Sequence, residues 1–508
     1  MKMVKSLLLV SAAGFVAVPG AQAADLPVKA KPVEYVKVCS LYGAGFYYIP
    51  GTDICMKIGG YVRYQVNLNT GNSISFGPFN GTSGINSRST GVDVAQRVRV
   101  IVSQDTRQQT AYGTLRTYLI LGWTHDTPTV TTSPAAPGVY FNRGFIQIAG
   151  FTFGKATSFF DFASTAAVAY NAGFVSTSDT GDPGQIVAAY TAQLGNGVSA
   201  TVSMEQSRRA PTQYLTGALG GGFGASFAPG RDDLGGSLGA GTASRPDFTA
   251  NIRIDQAWGS AQVSGAVHDA SAAYYLSAGA PEGVGHPDDK WGWAVSGGLR
   301  LNAPMIGPGD YFQAQAVYSQ GAIKYASNSA CAGSGLCDYW EGNTFAFGPA
   351  QDAVFGNTAA APGVFGNQLE LTTAWSIYAS YEHFWTPSLR TSIYGSYLDV
   401  SYNGNASGLL CNAYLGAAAF GAGVACDPNW SVWSIGSRSQ WNIQKDFYVG
   451  VDVIYTKLNS VSLNNGAAFD LGPGALVLPA NKTPAELYST DDKDAVTVTW
   501  RVHRDIVP

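Results

Sequence analysis

The side chains best equipped for chemistry in this chain are charged, and they fall into two sets. Asp161, Asp179 and Asp182 lie in one stretch, FTFGKATSFFDFASTAAVAYNAGFVSTSDTGDPGQ from Phe151 to Gln185, where Lys155 is the single base. Arg63, Arg97, Arg99, Arg116, Arg143, Arg438 and Arg501 occupy polar positions of segments in which apolar and polar residues alternate. Acids facing guanidinium groups across a narrow aqueous gap would set up a transverse field that orients polar solutes and disfavours apolar ones. The competing possibility is that each arginine pairs with a local acid, such as Asp93 or Asp452, and only stiffens its surroundings.

Bond-breaking chemistry has weaker support. A hydrolase needs a base beside a nucleophile or an activated water. The five histidines, His125, His268, His286, His383 and His503, are scattered. Adjacent pairs such as His268-Asp269 point to opposite faces of a strand. No G-x-S-x-G elbow occurs. The group His286, Asp288 and Asp289 reads as a solvated loop rather than a cation site, and Gly217 to Gly241 lacks the G-K-[ST] ending of a phosphate cradle. Neither a catalytic residue, a metal site nor a cofactor is expected.

The elements that must position the charges are strands. Residues 1–23, with Lys2 and Lys5 before the apolar run Leu7 to Val18 and Ala21 and Ala23 at an A-x-A site, read as a secretory signal. No later apolar run is long enough for a membrane helix. Losing Lys2 and Lys5 takes the formal charge from −4 to −6, which argues against nucleic acid as a partner. Only 13% of residues are charged, against 27 Tyr, 24 Phe and 62 Gly, a texture suited to a surface that meets lipid. Residues 24–56 read as a periplasmic lead-in and 57–508 as one uniform domain.

Period-2 segments define that domain. They are 57–69, 92–103, 110–123, 143–149, 151–155, 185–194, 198–206, 248–255, 261–269, 291–301, 311–320, 370–382, 389–400, 431–441, 447–457 and 495–503. Short links near Asp105, Gly150, Gly195, Gly259, Pro304, Pro387 and Asp446 alternate with long ones. The pattern predicts an all-β, transmembrane, antiparallel up-and-down barrel of about 16 strands, with turns periplasmic and loops outside. Such a barrel is wide enough for water. Residues 158–184 would then fold into it as a constriction. Lys155 breaks the rule by taking the parity of the apolar face. Aromatics near segment ends, among them Trp375, Trp433, Trp441 and Trp500, suit interface girdles. A secreted β-helix would show a fixed repeat length, which these segments lack.

The cysteines fall as near neighbours, Cys39 with Cys55, Cys331 with Cys337 and Cys411 with Cys426. An oxidising compartment and short closures favour these local disulfides among the possible connectivities.

VCSLYGAGFYYIPGTDICMKIGGYVRYQ from Val38, FTFGKATSFFDF from Phe151 and WRVHRD from Trp500 together resemble the general porins of the alphaproteobacterial outer membrane. The resemblance covers essentially the whole chain after the signal. It implies a homotrimer of sixteen-stranded barrels among outer-membrane lipids, with the third external loop folded inward. It also implies passive admission of ions and small hydrophilic solutes. A substrate-specific outer-membrane channel is the alternative, differing only at the eyelet. The final residue, Pro508, departs from the terminal Phe usual in such barrels and leaves Trp500 as a candidate assembly signal. The net charge and the acidic loop lean towards weak cation preference.

Overall fold

Strands whose alternate residues face lipid and water satisfy every backbone group in a bilayer only when the sheet closes on itself. The computed structural model shows that closure. It describes residues 37–68, 85–86, 94–127, 138–163, 168–170, 177–210, 212–216, 245–272, 287–327, 336–357, 368–415, 425–463, 466–467, 469–470 and 487–506. The proposed signal, most of the lead-in, Asp93, His286 and Cys331 lie outside these residues.

Sixteen antiparallel strands form the barrel. In chain order they are β1 Cys55–Leu68, β2 Val94–Thr110, β3 Gly113–Thr127, β4 Gly138–Ile148, β5 Phe151–Ala156, β6 Gln185–Gly195, β7 Val198–Glu205, β8 Asp247–Gln256, β9 Gly259–Asp269, β10 Trp291–Asn302, β11 Tyr311–Gln320, β12 Thr373–Phe384, β13 Leu389–Ser401, β14 Trp430–Gln444, β15 Phe447–Asn459 and β16 Lys493–Asp505. Each strand pairs with the next, and β1 pairs with β16 from Tyr61↔Asp505 to Leu68↔Val498, which leaves no free edge. Among the described residues, no helix is long and apolar enough to cross a membrane.

Side-chain parity follows the alternation. Val62, Ile252, Val263 and Trp500 point outward, while Gln65, Asn67, Gln262 and Gln315 are buried inside. Two short turns use backbone conformations that suit tight hairpins: Ala149 and Gly150 have φ of 49° and 88°, and Asn196 and Gly197 have 51° and 75°.

One boundary differs from the expectation. The DTRQQ segment is strand, not turn, and the chain reverses at Ala111 and Tyr112. Asp105 and Arg107 point inward there, joined at 2.8 Å. Near the turn end both faces of a strand meet polar surroundings, so alternation fades without the strand ending.

Before β1, Lys37 to Ile54 folds against the base of the barrel through the Cys39–Cys55 disulfide, with Phe46 buried beneath Arg107. At the opposite end the long loops are not separate. Tyr339, Phe345, Phe347, Tyr402, Leu409, Leu410, Val461 and Tyr488 share an apolar core with Leu398, Val400, Trp430 and Leu458 from the upper barrel wall. The Cys411–Cys426 disulfide fastens helix α1, Gly404–Leu415, to this cap. Two aspartates tie the cap to the barrel: Asp352 accepts hydrogen bonds from the N–H groups of Ala210 and Ile323, and the fully buried His268 bridges Asp352 and Asp247.

Candidate pore constriction

After β5 the chain enters the lumen and is pinned first at the near wall. Glu205, at an inward position of β7, accepts hydrogen bonds from Ser158 Oγ (2.5 Å), the Phe159 N–H (2.9 Å) and Gln185 Nε2 (2.5 Å). Phe160 packs with Ala266, Val317 and Tyr325, and Gln262 Nε2 reaches the carbonyls of Phe160 and Asp161. The next described segment, Val168 to Tyr170, lies against the far wall. The Tyr170 N–H donates to Asp452 Oδ2 (2.5 Å), its hydroxyl to Gln440 (3.2 Å), and its carbonyl accepts from Arg501 (3.0 Å). Ser392 donates to the Val168 carbonyl at 2.6 Å. Gly450 makes room for this docking, since a Cβ there would sit 2.1 Å from the Tyr170 hydroxyl. The loop therefore crosses the barrel from the β7–β9 wall to the β13–β16 wall.

The three loop acids have three settings. Asp161 is buried and receives Arg208 Nη2 at 2.9 Å, Ser178 Oγ at 2.7 Å and both the N–H and hydroxyl of Thr180. Burial alone would raise its pKa, but the Arg208 charge and these hydrogen bonds outweigh it and hold the carboxyl below the ordinary range. Asp161 thus closes the base of the loop. Asp179 Oδ1 accepts the Gly181 N–H at 2.7 Å, and its charge reaches Tyr378 on β12. Asp182 is exposed, and its charge acts on Tyr61 together with those of Arg63 and Arg99. The return limb is held to β4 by Arg143, which donates to the carbonyls of Asp182 (2.6 Å) and Gly181 (2.9 Å). A bulge in the β3–β4 pairing, between Ile120 and Leu121, aims Arg143 inward.

The seven wall arginines divide into two groups. Arg97 pairs with Asp126 at 2.6 Å, Arg116 with Asp105 at 3.0 Å, and the buried Arg438 with Glu382. Arg63, Arg99, Arg143 and Arg501 have no carboxylate partner among the described residues. Arg63 donates to His503 Nδ1 (3.3 Å) and lies over the Tyr61 ring, while Arg99 donates to Thr124 (3.2 Å). Arg63 and Arg99 face each other directly across the β1–β2 ladder, an unfavourable pairing of like charges that water can relieve. Arg501 bonds Gln65 and is covered by the Tyr170 ring, 3.9 Å away. The structure thus gathers Arg63, Arg99, Arg143 and Asp182 on the β1–β4 side of the loop and leaves Asp161 apart from them.

Residues 25–499 match the model of the porin subfamily. The chain belongs to that subfamily. This porin is 33% identical over 336 residues to porin Omp2b of Brucella melitensis, covering 59% of this chain and 81% of the relative, and 33% identical over 337 residues to porin Omp2b of Brucella suis, with the same coverage. Its fold is similar to that of the outer membrane channel DcaP of Acinetobacter baumannii, with a TM-score of 0.51 at 13% identity, over 90% of this chain and 99% of that one. The porin is an outer-membrane β-barrel channel.

Sequence reasoning missed several residues of the porin's site: Arg208, Glu205, Tyr170, Glu382, Asp105 and Asp126. Glu205 and Glu382 do have inward parity on their strands, a signal that a search for arginines alone passes over. Nothing local marks Tyr170, because its partners are remote in sequence.

Proposed function

We propose that this porin is a general diffusion channel, working as a homotrimer and passing ions and small hydrophilic solutes between the inner loop and the β1–β4 wall. One observation carries the reading: the loop is pinned at both walls, at Glu205 and at Tyr170, so it narrows the lumen without sealing it. Arg63, Arg99 and Arg143 on one side and Asp179 and Asp182 on the other form the charged rim, and Arg438 and Arg501 serve as the seat of the loop tip. Asp161 is neutralised by Arg208, so the loop offers two acids to the passage rather than three. Discrimination between ions is therefore weak and leans towards anions, opposite to the lean drawn from net charge. Catalysis has no place in this reading: His268 and His383 are engaged by Asp247, Asp352 and Asp310 in structural networks.

The test is single-channel recording in a planar bilayer under a salt gradient, beside a variant lacking residues 166–178. Stepwise openings in threes, enlarged by the deletion, are expected. Unchanged steps would refute the loop as constriction, and saturable block by a single solute would replace general diffusion with a substrate-specific channel.

A further inference from the structure

The lipid-facing surface is not uniform. On β7 to β12 one continuous ladder row runs Ala200, Ile252, Val263, Gly297, Ala316 and Ile377, with no polar side chain. On β1 to β5 the corresponding outward row reads Ile58, Gln104, Leu119, Gly144 and Lys155. Gln104 is exposed and Lys155 half-buried, and both point away from the lumen. Lys155 Nζ donates to the Phe141 carbonyl at 3.0 Å and lies 5.7 Å from the Phe141 ring. Among the described residues it meets no carboxylate. Higher on the same face Tyr64 donates outward to Gln96 Oε1 at 2.7 Å.

Height decides what this means. Gln104 lies six residues above Thr110, the last residue of β2, and Lys155 four above Phe151, the first of β5. A strand rises about 3.3 Å per residue and tilts by roughly 40°, which puts both groups about 10–15 Å above the turn end, inside an apolar band about 25 Å tall. An ammonium and a primary amide left to hydrocarbon there are costly, and side chains of this kind within a membrane face protein rather than lipid.

We infer that the outer face of β1–β5, centred on Leu119 between Gln104 and Lys155, is covered by a second copy of this chain and forms the subunit interface, while β7–β12 face lipid. The inference rests on the trimeric reading above and adds the face and the residues. Covering the row removes Lys155 and Gln104 from hydrocarbon and gives their remaining donors protein partners, as polar groups do between membrane segments. The apolar row on β7–β12 needs no such cover.

The experiment uses the full chain with one cysteine introduced at a time, Leu119→Cys, Gln104→Cys or Val263→Cys. The pairs Cys39–Cys55 and Cys411–Cys426 are already closed. Each variant is labelled with bimane and reconstituted into phosphatidylcholine carrying brominated acyl chains. Oligomer size is read by light scattering and folding by heat-modifiable mobility. Quenching several-fold weaker at 119 and 104 than at 263 in the oligomer is expected, rising to match 263 when the oligomer is dissociated. Equal quenching at 119 and 263 in an intact oligomer overturns the assignment of the face and leaves the trimer standing. Protection at 263 instead moves the interface elsewhere, and a folded monomer refutes interface and trimer together. Channel conductance is recorded separately, so none of these outcomes is confused with a failure of the pore.

Discussion

The position of the inner loop depends most on Tyr170, which makes a clear test of the constriction. Tyr170→Ala keeps the backbone bonds to Asp452 and Arg501 and removes the ring that lies 3.9 Å from Arg501 Cζ and 5.6 Å from Arg438 Cζ. Truncating a packed aromatic costs about 3–5 kcal/mol. At 1.4 kcal/mol per tenfold, the ratio of docked to undocked loop falls by roughly 10² to 10³. Tyr170→Phe loses only the hydroxyl bond to Gln440, about 1 kcal/mol and less than tenfold. Single-channel recording should then show a larger, noisier open current for the alanine variant and near-native behaviour for the phenylalanine one. The reversal potential of the alanine variant should also move towards anion preference, because the Arg501 guanidinium, which has only neutral partners, is uncovered. An alanine variant that folds and assembles normally yet keeps the native conductance and reversal potential would falsify the claim that this docking narrows the lumen.

Other outcomes follow from the same geometry. Replacing Arg63 and Arg99 together by Gln removes two acid-free guanidinium groups and should shift the reversal potential towards cations at nearly constant conductance; no shift would place both outside the solute's path. The Asp161 carboxyl is held below its ordinary value near 3.9, so its contribution is complete above that pH and lost as acid takes it through the lowered value. Conductance should therefore stay level from neutrality to about pH 4 and rise only in stronger acid, as a pH series at fixed ionic strength would reveal. Asp352→Ala leaves two N–H groups and His268 without their acceptor, a loss of about 3–5 kcal/mol that should lower the melting of the cap, followed by near-ultraviolet circular dichroism, while heat-modifiable mobility of the barrel persists. Reducing Cys411–Cys426, 15 residues apart, relaxes a closure worth about 3 kcal/mol and should open the α1 segment to protease before any strand is cut.

The barrel was legible because its physics is local. Lipid on one face and water on the other impose a period of two on every strand, so Val62 against Arg63 or Ile252 against Arg253 announces a wall without knowledge of the neighbours. The same logic misled at Asp105 to Gln109, where polarity on both faces read as a turn and the strand runs on to Thr110. Cys39–Cys55 and Cys411–Cys426 were readable because short closures are entropically favoured. The constriction was legible only in outline. An excursion after Lys155 was plain, but its anchors, Arg208 to Asp161 and Tyr170 to Asp452, join residues 47 and 282 positions apart. Likewise the division of arginines into paired and acid-free groups depended on Asp126, Asp105 and Glu382, acids whose inward parity mattered as much as that of the arginines.

The shared apolar core of the cap changes how the outer surface can vary. Loops that stand alone tolerate insertions because each borders only solvent. Here Ala210, Phe347, Leu410 and Tyr488 come from four different connections and pack into one cluster. A length change in any of them must be accommodated by the other three, so the cap should diverge among relatives as one correlated unit. Anything that recognises it from outside, an antibody or a phage tail, meets a composite surface that no single loop peptide can reproduce.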